Sequence, residues 1–200
     1  MNLNGGGILP VALDESGSLQ FLFGLERDYW IDSIKGWCDF GGKSDLNELR
    51  IDTACRECEE ETNGFLGNID DLKKIVNNNL ILKIETAQYD SYVVYIKYDQ
   101  NLPIYFNRNY KCIEKYQPEL LEKSGLFEKR EIKWFSIDEI IISELEFRKF
   151  YWKEFISIIL DKKNNIKKKI DCFLKKDNQN EKIKTSISLL NIKLLEEISP

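Results

Sequence analysis

The segment Gly42–Gly64, GKSDLNELRIDTACRECEEETNG, constrains this chain more than any other part of it. It reads as a loop through Ser44, Asp45 and Asn47 followed by a helix from about Ile51 to Thr62. At about 100° per residue, Glu57, Glu60 and Glu61 share an arc of roughly 100°, with Glu59 on the opposite side. Ile51, Cys55, Cys58 and Thr62 fall together on a separate face suited to packing. Like charges three and four residues apart repel by about 0.2–0.5 kcal/mol per pair even when exposed. A divalent cation offsets that repulsion, and converging carboxylate oxygens at this spacing suit Mg²⁺ or Mn²⁺. Arg56 lies beside the cluster and can hold a carboxylate through two parallel hydrogen bonds. Glu48, in the loop, can anchor Arg56 or assist a water. A glutamate-rich helix is by itself more often a solvated face. The spacing to Gly42, Glu48 and Arg56 argues for more than that.

Several chemistries are excluded by what the chain lacks. It has no histidine, so a Ser-His-Asp triad, a Cys-His pair and an H-E-x-x-H zinc motif are all impossible. Any hydrolytic work must fall to carboxylates, a metal or lysine. The five cysteines are scattered and odd in number, which is not a disulfide framework. Cys55 and Cys58 form a lone C-x-x-C without the second pair that a structural zinc site needs, and read better as small buried residues. No apolar run approaches the roughly 18 residues of a membrane span. Met1–Gly7 lacks a basic segment followed by an apolar one, so no signal peptide is expected and a cytoplasmic (intracellular) protein is.

The rest of the chain reads as a mixed α/β body with a helical C-terminal extension. Gly5–Leu13 and Leu19–Leu25 read as strands joined by a turn at Asp14–Gly17. Trp37–Phe40 reads as a short third strand, Asp70–Asn77 as a short helix, and Leu80–Ile84 and Tyr92–Tyr98 as strands. Asn107–Ser124 is expected to contain a helix with Pro118 at a break or first turn. Lys133–Phe135 reads as the last strand, and Asp138–Ile142 as a short helix with Ser136 as its N-cap. Glu146–Leu160 is amphipathic and aromatic-rich. DKKNNIKKK is expected to interrupt it, before helical stretches at Ile166–Lys175 and Lys182–Ile198. Net charge is −5, yet Asp161–Pro200 holds ten lysines against six acidic residues. A basic tail can contact a polyanion, although a solvated lysine-rich helix face is the simpler reading.

The segment from Gly42 resembles the Nudix box: Gly, five residues, Glu, seven residues, Arg-Glu, an apolar residue, any residue, Glu-Glu, any residue, Gly, apolar. Gly42, Glu48, Arg56, Glu57, Cys58, Glu60 and Glu61 match it in order. GILPVAL, FLFGLER and WCDFGGK before it, and EIKWFSIDEI after it, look like that fold's flanking strands, and the resemblance covers about Gly5 to Ile142. FLFGLER and WCDFGGK are also similar in style to Nudix proteins of large DNA viruses. One position departs: Asn63 stands where the box has its last glycine, and Gly64 where it has an apolar residue. The need there is a left-handed residue that ends the helix, and asparagine is second only to glycine.

The resemblance implies a Nudix-type mixed β-sheet sandwiched between helices over residues 1–145, with a helical extension over 146–200. It implies Mg²⁺ or Mn²⁺ held by Glu57, Glu60, Glu61 and the Gly41 carbonyl, with Arg56 and Glu48 orienting the acidic set. It implies that a metal-activated water attacks phosphorus in a nucleoside diphosphate linked to another moiety. Capped RNA is a further substrate to consider, and a non-catalytic nucleotide- or RNA-binding module the alternative of another class. A later glutamate often completes such sites, and Glu128 and Glu131 are candidates. Arg27 is a candidate phosphate contact, and Gly42 and Trp37 candidate substrate contacts. Trp30, Phe40 and Tyr89 share the aromatic chemistry for stacking on a base, although core packing is the simpler role for Trp37 and Phe40.

Overall fold

The computed structural model describes residues 4–27, 36–123 and 126–175. Trp30 and the expected helix at Lys182–Ile198 lie outside the described residues. The apolar run of β1 (Gly5–Leu13) is buried along nearly its whole length because the strand is central. It pairs antiparallel with β2 (Leu19–Glu26) through Val11–Leu13 and with β4 (Phe40–Lys43) through Gly5–Ile8. Leu9 and Pro10 lie between those pairings, so the sheet forks there. On its other side β1 runs parallel to β6 (Tyr89–Tyr95), which carries the edge strand β5 (Leu80–Glu85). β2 also pairs with β3 (Trp37–Cys38) and with β7 (Lys129–Ser136), completing a mixed sheet of seven strands among the described residues.

Period-2 alternation divides the sheet between two cores. Ile8, Ala12, Leu22, Tyr92 and Val94 point to one face, where α1 (Arg50–Thr62), α2 (Ile69–Asn79) and α3 (Leu102–Tyr116) pack. Leu9, Val11, Phe21, Phe23 and Val93 point to the other. That face is covered by a helical run over residues 149–175, which contains one π-helical turn, Trp152–Ile156. The expected sheet between helices is therefore the observed architecture. Two short helices, α4 (Pro118–Lys123) and α5 (Ile137–Ile142), flank β7. Ser136 caps α5 as expected, in a reciprocal capping box with Glu139.

Three expectations need correction. The expected strand Trp37–Phe40 is split in two at Asp39, whose buried carboxylate accepts hydrogen bonds from the Tyr89 and Ser91 hydroxyls at 3.0 and 2.7 Å. The last strand starts at Lys129 rather than Lys133, because Lys129 and Ile132 are buried beneath a sequence that looks charged throughout. The helix does not break at DKKNNIKKK. Phe155, Ile159, Ile166 and Ile170 keep one apolar stripe in the core while most of the intervening lysines stay on the outer faces. Two of those lysines are used internally: Lys169 donates to the Ile81 carbonyl at 2.6 Å and Lys167 to the Gly17 carbonyl. No helix among the described residues is long and apolar enough to cross a membrane.

Candidate active site

Helix α1 lies against β1 and β4 with Thr53, Ala54, Cys55, Cys58 and Thr62 buried. Cys55, Cys58 and Thr62 thus occupy the packing face expected of them, with Ile51 half-buried at its edge. Burial pushes the Cys55 thiol up to about 11 and the Cys58 thiol well above its usual value, so both are inert apolar filler. The helix ends on Asn63 in the left-handed conformation, followed by Gly64 with φ 71°. The Gly64 N–H reaches back to the Glu59 carbonyl at 2.9 Å, closing the end as a Schellman turn does. Asparagine also adds something glycine cannot. Its Oδ1 accepts the Phe127 N–H at 3.2 Å, which ties the helix end to the residue before Glu128.

Arg56 organises the acidic arc. Its Nε and Nη2 donate to the two oxygens of Glu48 at 3.0 and 3.1 Å, and Nη2 also reaches the Lys43 carbonyl. Its Nη1 bridges Glu57 at 2.8 Å and Glu60 at 3.0 Å. Glu48 further accepts from Thr53 Oγ1 and the Asp45 N–H. The Arg56 hydrogen bond, with these others behind it, holds the Glu48 carboxyl down at about 2. Glu48 therefore contributes stability in full above the ordinary glutamate range of about 4.5, and loses it as pH falls toward 2. Glu48→Gln is expected to flatten the loss of melting temperature between pH 5 and 2 relative to wild type. Near pH 7 it should lower catalytic activity about 10–100-fold, the usual cost of removing a residue that orients a ligand.

The three motif carboxylates are not equivalent. Glu60 is half exposed, while the Glu57 carboxyl lies against the Gly42 Cα, where an added Cβ would come within 2.5 Å of it. Burial pushes Glu57 up, and Glu60 and Glu128 push in the same direction. Glu128 is likewise raised, by burial first and by Glu60 next. Of the two later glutamates, Glu128 is the one whose charge meets the helix. Glu131 sits on β7 opposite Leu25. Glu57, Glu60 and Glu128 thus form a patch of mutually repelling carboxylates, with Arg56 bonded to two of them. Hard oxygen donors that repel one another fit a divalent cation. In the arrangement described, no set of three or more such side chains already converges on one point.

Glu61 lies deeper, only 3% exposed. One oxygen accepts the Gly41 N–H at 2.8 Å and the other faces Lys129 Nζ at 2.9 Å. Lys129 is wholly buried, and also contacts Glu26 at 2.6 Å and the Cys38 sulfur at 3.3 Å. Arg148 closes the chain of charges at 3.2 Å from Glu26. Burial acts to lower the Lys129 ammonium, but Cys38, Glu61 and Glu26 outweigh it and hold the group well above the usual lysine value. This Glu61–Lys129–Glu26–Arg148 chain has no signature in the sequence. Lys129 sits among charged neighbours in FEKREIK, and nothing local marks it as buried.

The remaining candidates separate. Trp37 is 5% exposed and packs edge-on against Phe135 with centroids 4.9 Å apart, so it belongs to the core, as does Phe40. Arg27 donates to the Leu121 carbonyl at 2.7 Å, and its N–H to the Glu128 carbonyl at 3.3 Å, bracing the segment that carries Glu128. Gly41, Gly42 and Tyr89 line a cavity of about 490 Å³ beside the helix.

No family model matches the sequence, and no curated protein matches it. Solved structures similar to the chain include a C. elegans Ap4A hydrolase binary complex, at 14% identity and a TM-score of 0.42, over 86% of this chain and 97% of that one. Another is a MutT protein from Methanosarcina mazei Go1, at 17% identity and a TM-score of 0.43, over 81% of this chain and 94% of that one. A third is a bifunctional NMN adenylyltransferase/ADP ribose pyrophosphatase from Francisella tularensis, complexed with AMP and a Mn ion. It shares 16% identity at a TM-score of 0.49, and the match spans 81% of this chain but 42% of that one. The roles of the site residues stand on this chain's own sequence and geometry.

Proposed function

We propose that the chain is a Nudix-type pyrophosphohydrolase acting on a nucleoside diphosphate linked to another moiety. The observation that carries the reading is the Arg56 guanidinium, bonded at once to Glu48, Glu57 and Glu60 on a helix whose spacing matches the Nudix box. Glu57, Glu60 and Glu61 would hold Mg²⁺ or Mn²⁺ together with the Gly41 carbonyl, Glu61 by releasing one of the two partners that now occupy its oxygens, the Gly41 N–H and Lys129. When bound, the ion supplies charge to polarise the diphosphate and to lower the pKa of an attacking water. The chain's own groups do the rest. Arg56 holds Glu57 and Glu60 in place, and Glu48 fixes Arg56. Glu57 or Glu128, both raised by burial in a carboxylate-rich patch, takes the proton from the water. Gly42, without a side chain, lets Glu57 lie against the strand.

The exposed lysines of residues 162–168 favour including an RNA-linked substrate among those tried. A panel of nucleotide sugars, dinucleoside polyphosphates, free cap and capped RNA is expected to yield at least one compound cleaved at the diphosphate with Mg²⁺ or Mn²⁺. Cleavage should stop in EDTA and in Glu60→Gln. An intact panel, or a Glu60→Gln variant as active as wild type, overturns the reading. In that case nucleotide binding insensitive to Glu60→Gln would mark a non-catalytic module. Equal rates on free cap and capped RNA would remove any role for the lysines.

A further inference from the structure

Helix α1 needs a left-handed residue at position 63, and glycine meets that need at least as well as asparagine. The Asn63 side chain is therefore surplus to the helix end. Its Oδ1 accepts the Phe127 N–H at 3.2 Å, across 64 residues of sequence. Only the oxygen of the amide can serve that donor, so the bond fixes which way the amide faces. Nδ2 is then buried without a partner among the described residues, a cost that glycine would not carry. The Phe127 bond is what the side chain contributes in return.

Phe127 is strained where it is held. Its φ of 54° is left-handed, a conformation rare for a bulky residue and concentrated at functional sites. Its ring is buried and packs against Phe106 and Tyr110 of α3, with centroids 5.1 and 5.9 Å apart. Two residues later, Lys129 enters the buried chain of charges. Glu128 is carried between these two anchors, and its carbonyl accepts the Arg27 N–H. Asn63 and Leu126 border one cavity together with Arg56 and Glu60, so both ends of the Asn63–Phe127 bond lie beside the acidic arc. Glu128 adds to the upward push on Glu57, and Glu60 to that on Glu128, as carboxylates facing a common space do.

We infer that Asn63 is a positioning residue: its hydrogen bond to Phe127 holds the left-handed turn that directs Glu128 toward Glu57 and Glu60. This rests on the proposed diphosphate hydrolysis and deepens it, because Glu128 then reaches the reaction only while the end of α1 is tied to the start of β7. The departure from the Nudix box at Asn63 thereby has a use of its own.

The test compares Asn63→Gly, which keeps the helix end and loses the acceptor, with Asn63→Asp, which keeps both. Exchange of the Phe127 amide proton, followed by NMR on the whole chain, should be about tenfold or more faster in Asn63→Gly and near the wild-type rate in Asn63→Asp. Activity is read with Mg²⁺ on a nucleotide sugar, a dinucleoside polyphosphate, free cap and capped RNA. On each compound that wild type cleaves, Asn63→Gly should lower kcat about 10–100-fold with KM within about twofold, as for a displaced group that acts only in the transition state. Asn63→Asp should recover most of that loss. In a Glu128→Gln background, Asn63→Gly should cost no more than about twofold further, because it acts through Glu128. A Phe127 amide that exchanges equally fast in wild type and Asn63→Gly overturns the positioning role, as does a loss of the same size with Glu128 present or replaced. The two readings fail separately. Wild-type hydrolysis with kcat unmoved by Asn63→Gly, whatever that variant's melting temperature, sinks the positioning role alone. A wild type that cleaves none of the compounds, with a Phe127 amide protected in it and in Asn63→Asp but not in Asn63→Gly, sinks the catalytic reading alone.

Discussion

Lys129→Met is expected to destabilise the protein by about 3–5 kcal/mol, the usual cost of removing one partner of a buried ion pair. For a chain of this length that corresponds to a fall in melting temperature of roughly 10 °C or more. Lys129 is wholly buried and contacts both Glu61 and Glu26. Without it, Glu26 keeps Arg148, but Glu61 keeps only the Gly41 N–H. Glu61 must then take up a proton or leave its place, and either change disturbs the glycine strand and the end of α1. Lys129→Met with Glu61→Met should regain much of the loss, because replacing a buried pair by apolar groups of similar volume is often neutral. Thermal unfolding followed by circular dichroism reads both. A single variant within about 1 kcal/mol of wild type, or a double variant no better than the single, would show that the charges are not coupled in this way.

The parts of the site that sequence made legible are those that are local in the chain. Glu48, Arg56, Glu57 and Glu60 lie within thirteen residues, and helical geometry alone brings them together. Asn63 was legible for the same reason, since a helix end needs a left-handed residue whatever packs around it. Glu61 shows the limit. On a helical wheel it shares the arc of Glu57 and Glu60, and a wheel does not say which edge of the arc meets the sheet. That edge is set by Gly41, twenty residues earlier, and by Lys129, sixty-eight residues later. Lys129, Arg148 and Tyr151 carry no local mark, because their burial comes from a strand pairing and from a helix folding back across the sheet. DKKNNIKKK misled for a related reason. Its charge suggests a break, but with no proline or glycine in it the segment only needs Ile166 to face the core. The strand split at Asp39 likewise depends on Tyr89 and Ser91, some fifty residues away.

Glu57→Gln is expected to lower the rate of diphosphate hydrolysis about 10²–10⁴-fold, the equivalent of several kcal/mol of lost transition-state stabilisation. The loss combines two effects. A carboxylate oxygen that would bind the proposed ion is replaced by a neutral amide, and Arg56 loses one of the anions it bridges. The fold should hold, because Glu57 is not part of the buried Glu61–Lys129 chain and an amide fits the same space against Gly42. The central claim, that the acidic arc of α1 is a divalent-cation site that drives hydrolysis, is tested most directly by titrating Mn²⁺ into wild type and into Glu57→Gln/Glu60→Gln. Both proteins should first be shown to melt at similar temperatures. The account predicts that wild type binds Mn²⁺, that the double variant binds it at least tenfold more weakly, and that hydrolysis falls with it. Equal Mn²⁺ affinity in the two proteins, or wild-type cleavage that proceeds unchanged in EDTA, would contradict it.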